Sequence, residues 1–122
     1  MGTLVPTLTL TDSTTFSDEI SFSVTDSLTT TTPSTSLSTI GVTNVGANNI
    51  IQPSLDGQTR YIFIRHAGSS GTINVELTGD VVVGKLSVGE WMWMPVGGHS
   101  LGVQLQSSTG TINAEYAYWT KG

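Results

Sequence analysis

Apolar residues in this chain recur at every second position, and that period limits the folds open to it. Ile20, Phe22 and Val24 alternate with Ser21, Ser23 and Thr25; Ile73, Val75 and Leu77 alternate with Thr72, Asn74 and Glu76; Leu101, Val103 and Leu105 alternate with Gly102, Gln104 and Gln106. A period of two puts one row of side chains on each face of an extended strand, so each segment reads as a strand with one buried and one wet face. Tyr61-Ile62-Phe63-Ile64 and Trp91-Met92-Trp93-Met94 are apolar in both rows and suit strands covered on both sides. No window shows an amphipathic helix, and Thr, Val and Ile outweigh the strong helix formers.

Turn signals punctuate the strands at short intervals: 67–71, 78–80, 88–90, 97–99 and 107–110. Eight or nine strands are expected, near 4–11, 19–25, 37–44, 59–66, 72–77, 81–86, 91–96, 101–106 and 111–119. Short strands between Gly-rich turns predict an all-β fold, an antiparallel β-sandwich of jelly-roll-like type. At 122 residues the chain forms one domain with a core of its own. Composition shifts near residue 40. Residues 1–40 are more than half Ser and Thr, which predicts a Ser/Thr-rich N-terminal arm and first strands (1–40) before a β-sandwich core (41–122). The arm is expected to hold one or two strands and to lie on a neighbouring subunit. Ser69-Ser70-Gly71-Thr72-Ile73-Asn74-Val75-Glu76 is echoed at Ser107-Ser108-Thr109-Gly110-Thr111-Ile112-Asn113-Ala114-Glu115, which suggests two similar hairpins, one at each end of the sandwich.

Charge narrows the function classes. Charged residues are 11% of the chain, against about 25% in an average soluble domain. The net charge is −5, and residues 1–59 hold no Lys or Arg. No basic stripe exists, so direct nucleic-acid binding is not expected. No apolar run is long enough to span a membrane, and the start of the chain has neither the basic cluster nor the apolar run of a secretory signal. Without cysteine, disulfides and thiolate chemistry are excluded. Ser and Thr number 35, and so neutral a hydroxyl-rich surface is poorly protected against association. We expect other chains to cover much of it.

Catalytic motifs do not hold together. Gly98-His99-Ser100-Leu101-Gly102 matches the nucleophile elbow G-x-S-x-G, but a strand follows it where a helix is needed, and neither Asp nor His follows Ser100. His66 and His99 have no metal-ligand spacing. Asp12, Asp18, Glu19 and Asp26 form no calcium loop. Gly41 to Gly46 has the glycine spacing of a phosphate loop without its lysine. No enzymatic activity, cofactor or metal is expected. Alternation puts Trp91 and Trp93 opposite Met92 and Met94, and Tyr116 and Tyr118 opposite Ala117 and Trp119. Two readings follow for the rings. Buried indoles would mark a core pair between two sheets, the reading favoured here. Exposed indoles beside Asn, Gln, Asp or Arg would mark a platform for sugar rings.

Tyr61-Ile62-Phe63-Ile64-Arg65, Ile73 to Leu77, Leu86-Ser87-Val88-Gly89-Glu90-Trp91-Met92-Trp93-Met94-Pro95-Val96 and Ile112 to Trp119 together make a recurrent pattern. Over residues 59–120 it resembles small all-β virion proteins of tailed bacteriophages, particularly those infecting cyanobacteria and other aquatic bacteria. The Thr-rich opening is similar to theirs as well. The resemblance implies a structural role in the virion: a capsid cement or decoration protein that bridges major capsid protein subunits, or a neck or tail component. It implies no active-site residues. Net negative charge favours the outer capsid surface over the inner wall, where packaged DNA is dense. A homo-oligomer, dimer or trimer, is expected. The interface residues expected are Thr3, Leu4, Val5, Thr7, Thr9, Thr30 and Thr32 of the arm, with Trp91, Met92, Trp93 and Met94. The alternative is a tail- or neck-associated sandwich that binds host carbohydrate through its aromatic residues.

Overall fold

The computed structural model describes residues 2–12, 20–31, 34–46, 48–51, 58–96 and 102–122. Among them there is no helix. Twelve strands occur: β1 (Gly2–Leu4), β2 (Thr7–Asp12), β3 (Ile20–Thr25), β4 (Leu28–Thr31), β5 (Ser38–Val42), β6 (Asn48–Ile51), β7 (Arg60–His66), β8 (Ile73–Leu77), β9 (Val81–Leu86), β10 (Trp91–Val96), β11 (Val103–Ser107) and β12 (Ile112–Lys121). The fold is all-β and every strand pair is antiparallel.

One sheet runs β1-β4-β12-β7-β10, with β5 also paired to β12; a second runs β6-β11-β8-β9; β2 and β3 form a separate two-stranded ribbon. The two larger sheets share one buried cluster. Val42, Ile62, Ile64, Ile112 and Ala114 come from the first, and Ile51, Ile73, Val75, Val103 and Leu105 from the second. Fully burying each such branched side chain contributes about 1.5–3 kcal/mol, so this shared layer is the main source of stability.

The ten-residue β12 is the axis of the first sheet. Its far side is filled in two pieces, β5 along Ile112–Tyr116 and β4 at Thr120 and Lys121. Hydroxyl residues fill the gap between the pieces. The Thr35 N–H donates to the Tyr118 carbonyl (2.9 Å), and the Tyr118 N–H donates to Thr35 Oγ1 (3.1 Å). The Thr120 N–H donates to Ser34 Oγ (3.4 Å), and Ser34 Oγ donates to the Thr31 carbonyl (2.7 Å). Short hydroxyl side chains can stand in for a strand in this way because they reach backbone groups locally.

Within the Thr-rich segment, residues 28–31 and 38–42 are strands of the chain's own sheet, and Ser34 and Thr35 bond to β12 between them. Thr30, expected at an interface, is buried between Gly2 and Lys121. Thr32 lies outside the described residues. β5 also runs across the boundary expected at residue 40.

The echoed segments are not at opposite ends either. Both are a turn followed by a strand, but they lie side by side. The Thr72 N–H donates to Ser108 Oγ, and the Ser108 N–H donates to the Thr72 carbonyl, each at 2.9 Å. Gly71 sits there with φ +74°, and a Cβ on it would come within 2.7 Å of Ile112 Cδ1.

Candidate functional site

The pleat decides which side of β10 is available. In register, Met92 faces Ile64 and Met94 faces Ile62, both core residues, and the two methionines pack against the core. Trp91 and Trp93 therefore stand on the outer face, away from the second sheet. They are joined there by Tyr61 and Phe63 of β7 and Trp119 of β12, all of the same parity. The four β10 residues expected at an interface thus separate into two groups: the methionines belong to the packed side and the indoles to the outer side. The indoles are not a pair between the sheets.

The rings form a contiguous layer. Tyr61 and Trp93 stack with centroids 5.7 Å apart and planes 4° apart. Trp93 meets Trp119 at 5.7 Å and 47°, and Phe63 meets Trp91 at 6.3 Å and 36°. Such offset and tilted contacts suit the ring quadrupoles and fix the rings in place. Trp91 ends the row and is 52% exposed. Opposite it in the register, Arg65 is tied to Glu115 (3.4 Å).

The first strands build a wall over this layer. Leu4 and Leu28 face each other in the β1–β4 pair, and Leu8 faces Val24 in the β2–β3 pair. Together with Pro6, Thr7, Asp26 and Pro95 they bound an open groove of about 940 Å³ over the rings. The only polar residues of its described lining are Thr7 and Asp26, apart from the Tyr61 hydroxyl and the indole N–H groups. The Asp26 N–H donates to the Pro6 carbonyl (3.1 Å), and Asp26 Oδ1 accepts the Ser27 N–H (2.7 Å).

Beyond the groove the ribbon projects with two unlike faces. One carries Thr7, Thr9, Thr25 and Ser23, with Thr7 and Thr25 hydroxyls 3.1 Å apart and Thr9 Oγ1 donating to Ser23 Oγ (3.2 Å). The other carries Leu8, Leu10, Phe22 and Val24, which are 40%, 48%, 44% and 59% exposed. Among the described residues β2 and β3 pair only with each other. Thr3 and Val5 are exposed near its root, and Leu4 is half-buried in the groove. No family model, curated protein or solved structure matches the chain.

Of the residues expected at an interface, the structure brings Leu4, Thr7, Trp91 and Trp93 to one groove. Sequence reasoning missed the opposite wall and floor: Tyr61, Phe63 and Trp119 as partners of the indoles, and Leu8, Leu10, Phe22 and Val24 as an outward face. A signal for the floor existed, since Tyr61 and Phe63 share a row of alternation.

The described residues hold no group of three or more His, Cys, Asp or Glu able to bind a metal. The His66 ring is engaged on both nitrogens by Gly68 and Gly71 of its own loop. Residues 98–101 of the serine motif, with His99, Asp18 and Glu19, lie outside the described residues. A further polar knot lies on the outer face of the second sheet: Gln104 Nε2 donates to Glu76 Oε1 and to Asp80 Oδ1, both at 2.9 Å, so one amide satisfies two carboxylates.

Proposed function

We propose that this chain is a non-enzymatic structural protein of a bacteriophage particle, a cement or decoration protein on the outer capsid surface that bridges and stabilises major capsid protein subunits. The observation that carries the reading is the ribbon. Leu10 and Phe22, with Leu8 and Val24 nearer the groove, leave one apolar face 40–59% exposed, and a contiguous exposed apolar patch on a monomer is often functional. A two-stranded ribbon is marginally stable by itself, so a solvent-facing apolar side speaks for a partner that covers it.

Strand order adds a supporting analogy. Counted from β5 to β12 as one to eight, the sheets run one-eight-three-six and two-seven-four-five. We infer from this a jelly roll, an architecture used by viral capsid and lectin domains. Fold alone does not fix function; the analogy adds weight to the resemblance over residues 59–120. The test adds purified protein to shells lacking it. Raised resistance of the shell to heat is the expected result, and loss of that effect in the Leu10→Ser/Phe22→Ser double variant locates the contact. Unchanged shells would overturn the proposal.

A second reading, attachment to host carbohydrate by a tail or neck component, is favoured by one observation: the indoles lie outside the core, with Trp91 beside Arg65. Retention on host polysaccharide that Trp91→Ala abolishes, with shell stability untouched, would put it first.

A further inference from the structure

We propose that the groove between the ribbon and the ring layer is a binding site for an organic cation with an apolar body, such as an alkylammonium. The inference does not depend on the virion assignment, because it rests on the charge, size and polarity of the groove's lining. The floor is Trp91, Trp93, Trp119, Tyr61 and Phe63, aromatic side chains of the kind that hold organic cations where a ring face is reached. The one charged residue of the described lining is Asp26, a carboxylate, and that lining holds no Lys, Arg or His. The nearest cation in the register, Arg65, has Glu115 as its partner. Asp26 is thus the one formal charge of the described lining, and it is negative.

Size and polarity set the rest of the ligand. About 940 Å³ is far more than a bare ammonium group fills, and Leu4, Leu8, Val24 and Leu28 offer aliphatic walls to an alkyl body. An anion would find no cationic side chain in the described lining and would face Asp26. A sugar would bring many hydroxyls to a lining that offers few partners for them, leaving polar groups unpaired at a cost.

All three tryptophans of the chain line this groove, so indole fluorescence reports it without a label. Three probes with one alkyl body separate the contributions: hexyltrimethylammonium, hexanol and hexyl sulfate, each titrated below its aggregation threshold. The cation should bind about tenfold more tightly than the alcohol, with the sulfate weakest. Asp26→Asn should bring the cation to within about threefold of the alcohol, and Trp91→Phe should weaken the cation while leaving the melting temperature unchanged, since both positions are exposed. Equal binding of cation and alcohol would overturn the proposal, reducing the groove to an apolar slot. So would an undiminished preference in Asp26→Asn, or no change in emission at millimolar cation.

Discussion

His66 is 1% exposed, yet both ring nitrogens have partners. Nδ1 accepts the Gly68 N–H (3.1 Å), so the network assigns the proton to Nε2, which donates to the Gly71 carbonyl (3.1 Å). The ring thereby holds the 67–72 turn against the core, next to the second copy of the echoed segment. His66→Ala removes both partners at once and leaves a cavity. Each orphaned buried group costs about 1–3 kcal/mol, so a loss of roughly 3 kcal/mol is expected in urea unfolding, and a change below about 1 kcal/mol would show that water replaces the ring. Glycines give a finer contrast. Gly46 and Gly71 have nearly equal φ, +75° and +74°, but an added Cβ meets nothing within 4 Å at Gly46, whereas at Gly71 it meets Ile112 Cδ1 at 2.7 Å and Ser108 Oγ at 3.1 Å. Alanine at Gly46 therefore reports backbone strain alone, about 1 kcal/mol. Alanine at Gly71 adds displacement of Ile112 and should cost at least about 1 kcal/mol more. Equal losses would mean the isoleucine gives way freely.

Among the elements, those with alternating apolar residues were legible. β3, β8 and β11 lie within one or two residues of the spans that periodicity predicts. β4 was not, because Leu28-Thr29-Thr30-Thr31 has a single strongly apolar residue. Its burial comes from lying between β1 and β12, a tertiary fact with no local hydropathy signal. β6 is four residues beginning with two asparagines. Asn48 earns its place through side-chain bonds to the Thr43 and Leu105 carbonyls (3.2 and 3.0 Å), which composition does not reveal. The expected strand 4–11 divides at Val5-Pro6, where proline lacks the N–H a ladder requires. The groove was half legible for a similar reason: alternation separates Trp91 from Met92, but with both rows apolar it cannot say which row meets the core. β9 carries a prediction of its own. It is an edge of the second sheet, and Val81, Val82 and Val83 are all exposed. Such an edge invites pairing with other chains unless charge blocks it. Val82→Lys should reduce light scattering on concentration or heating while moving unfolding free energy by less than about 0.5 kcal/mol. Unchanged scattering would show that this edge is not where the protein associates.

At the scale of the molecule, few charges and many hydroxyls imply a particular response to salt. A net charge of −5 with four cationic side chains supplies little long-range steering, and exposed charges are screened beyond about 8 Å at physiological ionic strength. The apolar ribbon face should bind its partner through buried area, which simple salt scarcely weakens and sulfate strengthens. The groove is the opposite case: preference for a cation there depends on Asp26 and the rings, and screening reduces the carboxylate's share. The two sites should therefore part company when NaCl is raised from about 50 to about 500 mM. Affinity for shells should change by less than about threefold, while the margin of alkylammonium over alcohol should shrink severalfold. Parallel loss of both would place charge at the shell contact, with the acidic first half of the chain, Asp12 and Asp26 included, meeting a basic partner surface. Insensitivity of both would leave the rings, not the carboxylate, as the source of any cation preference.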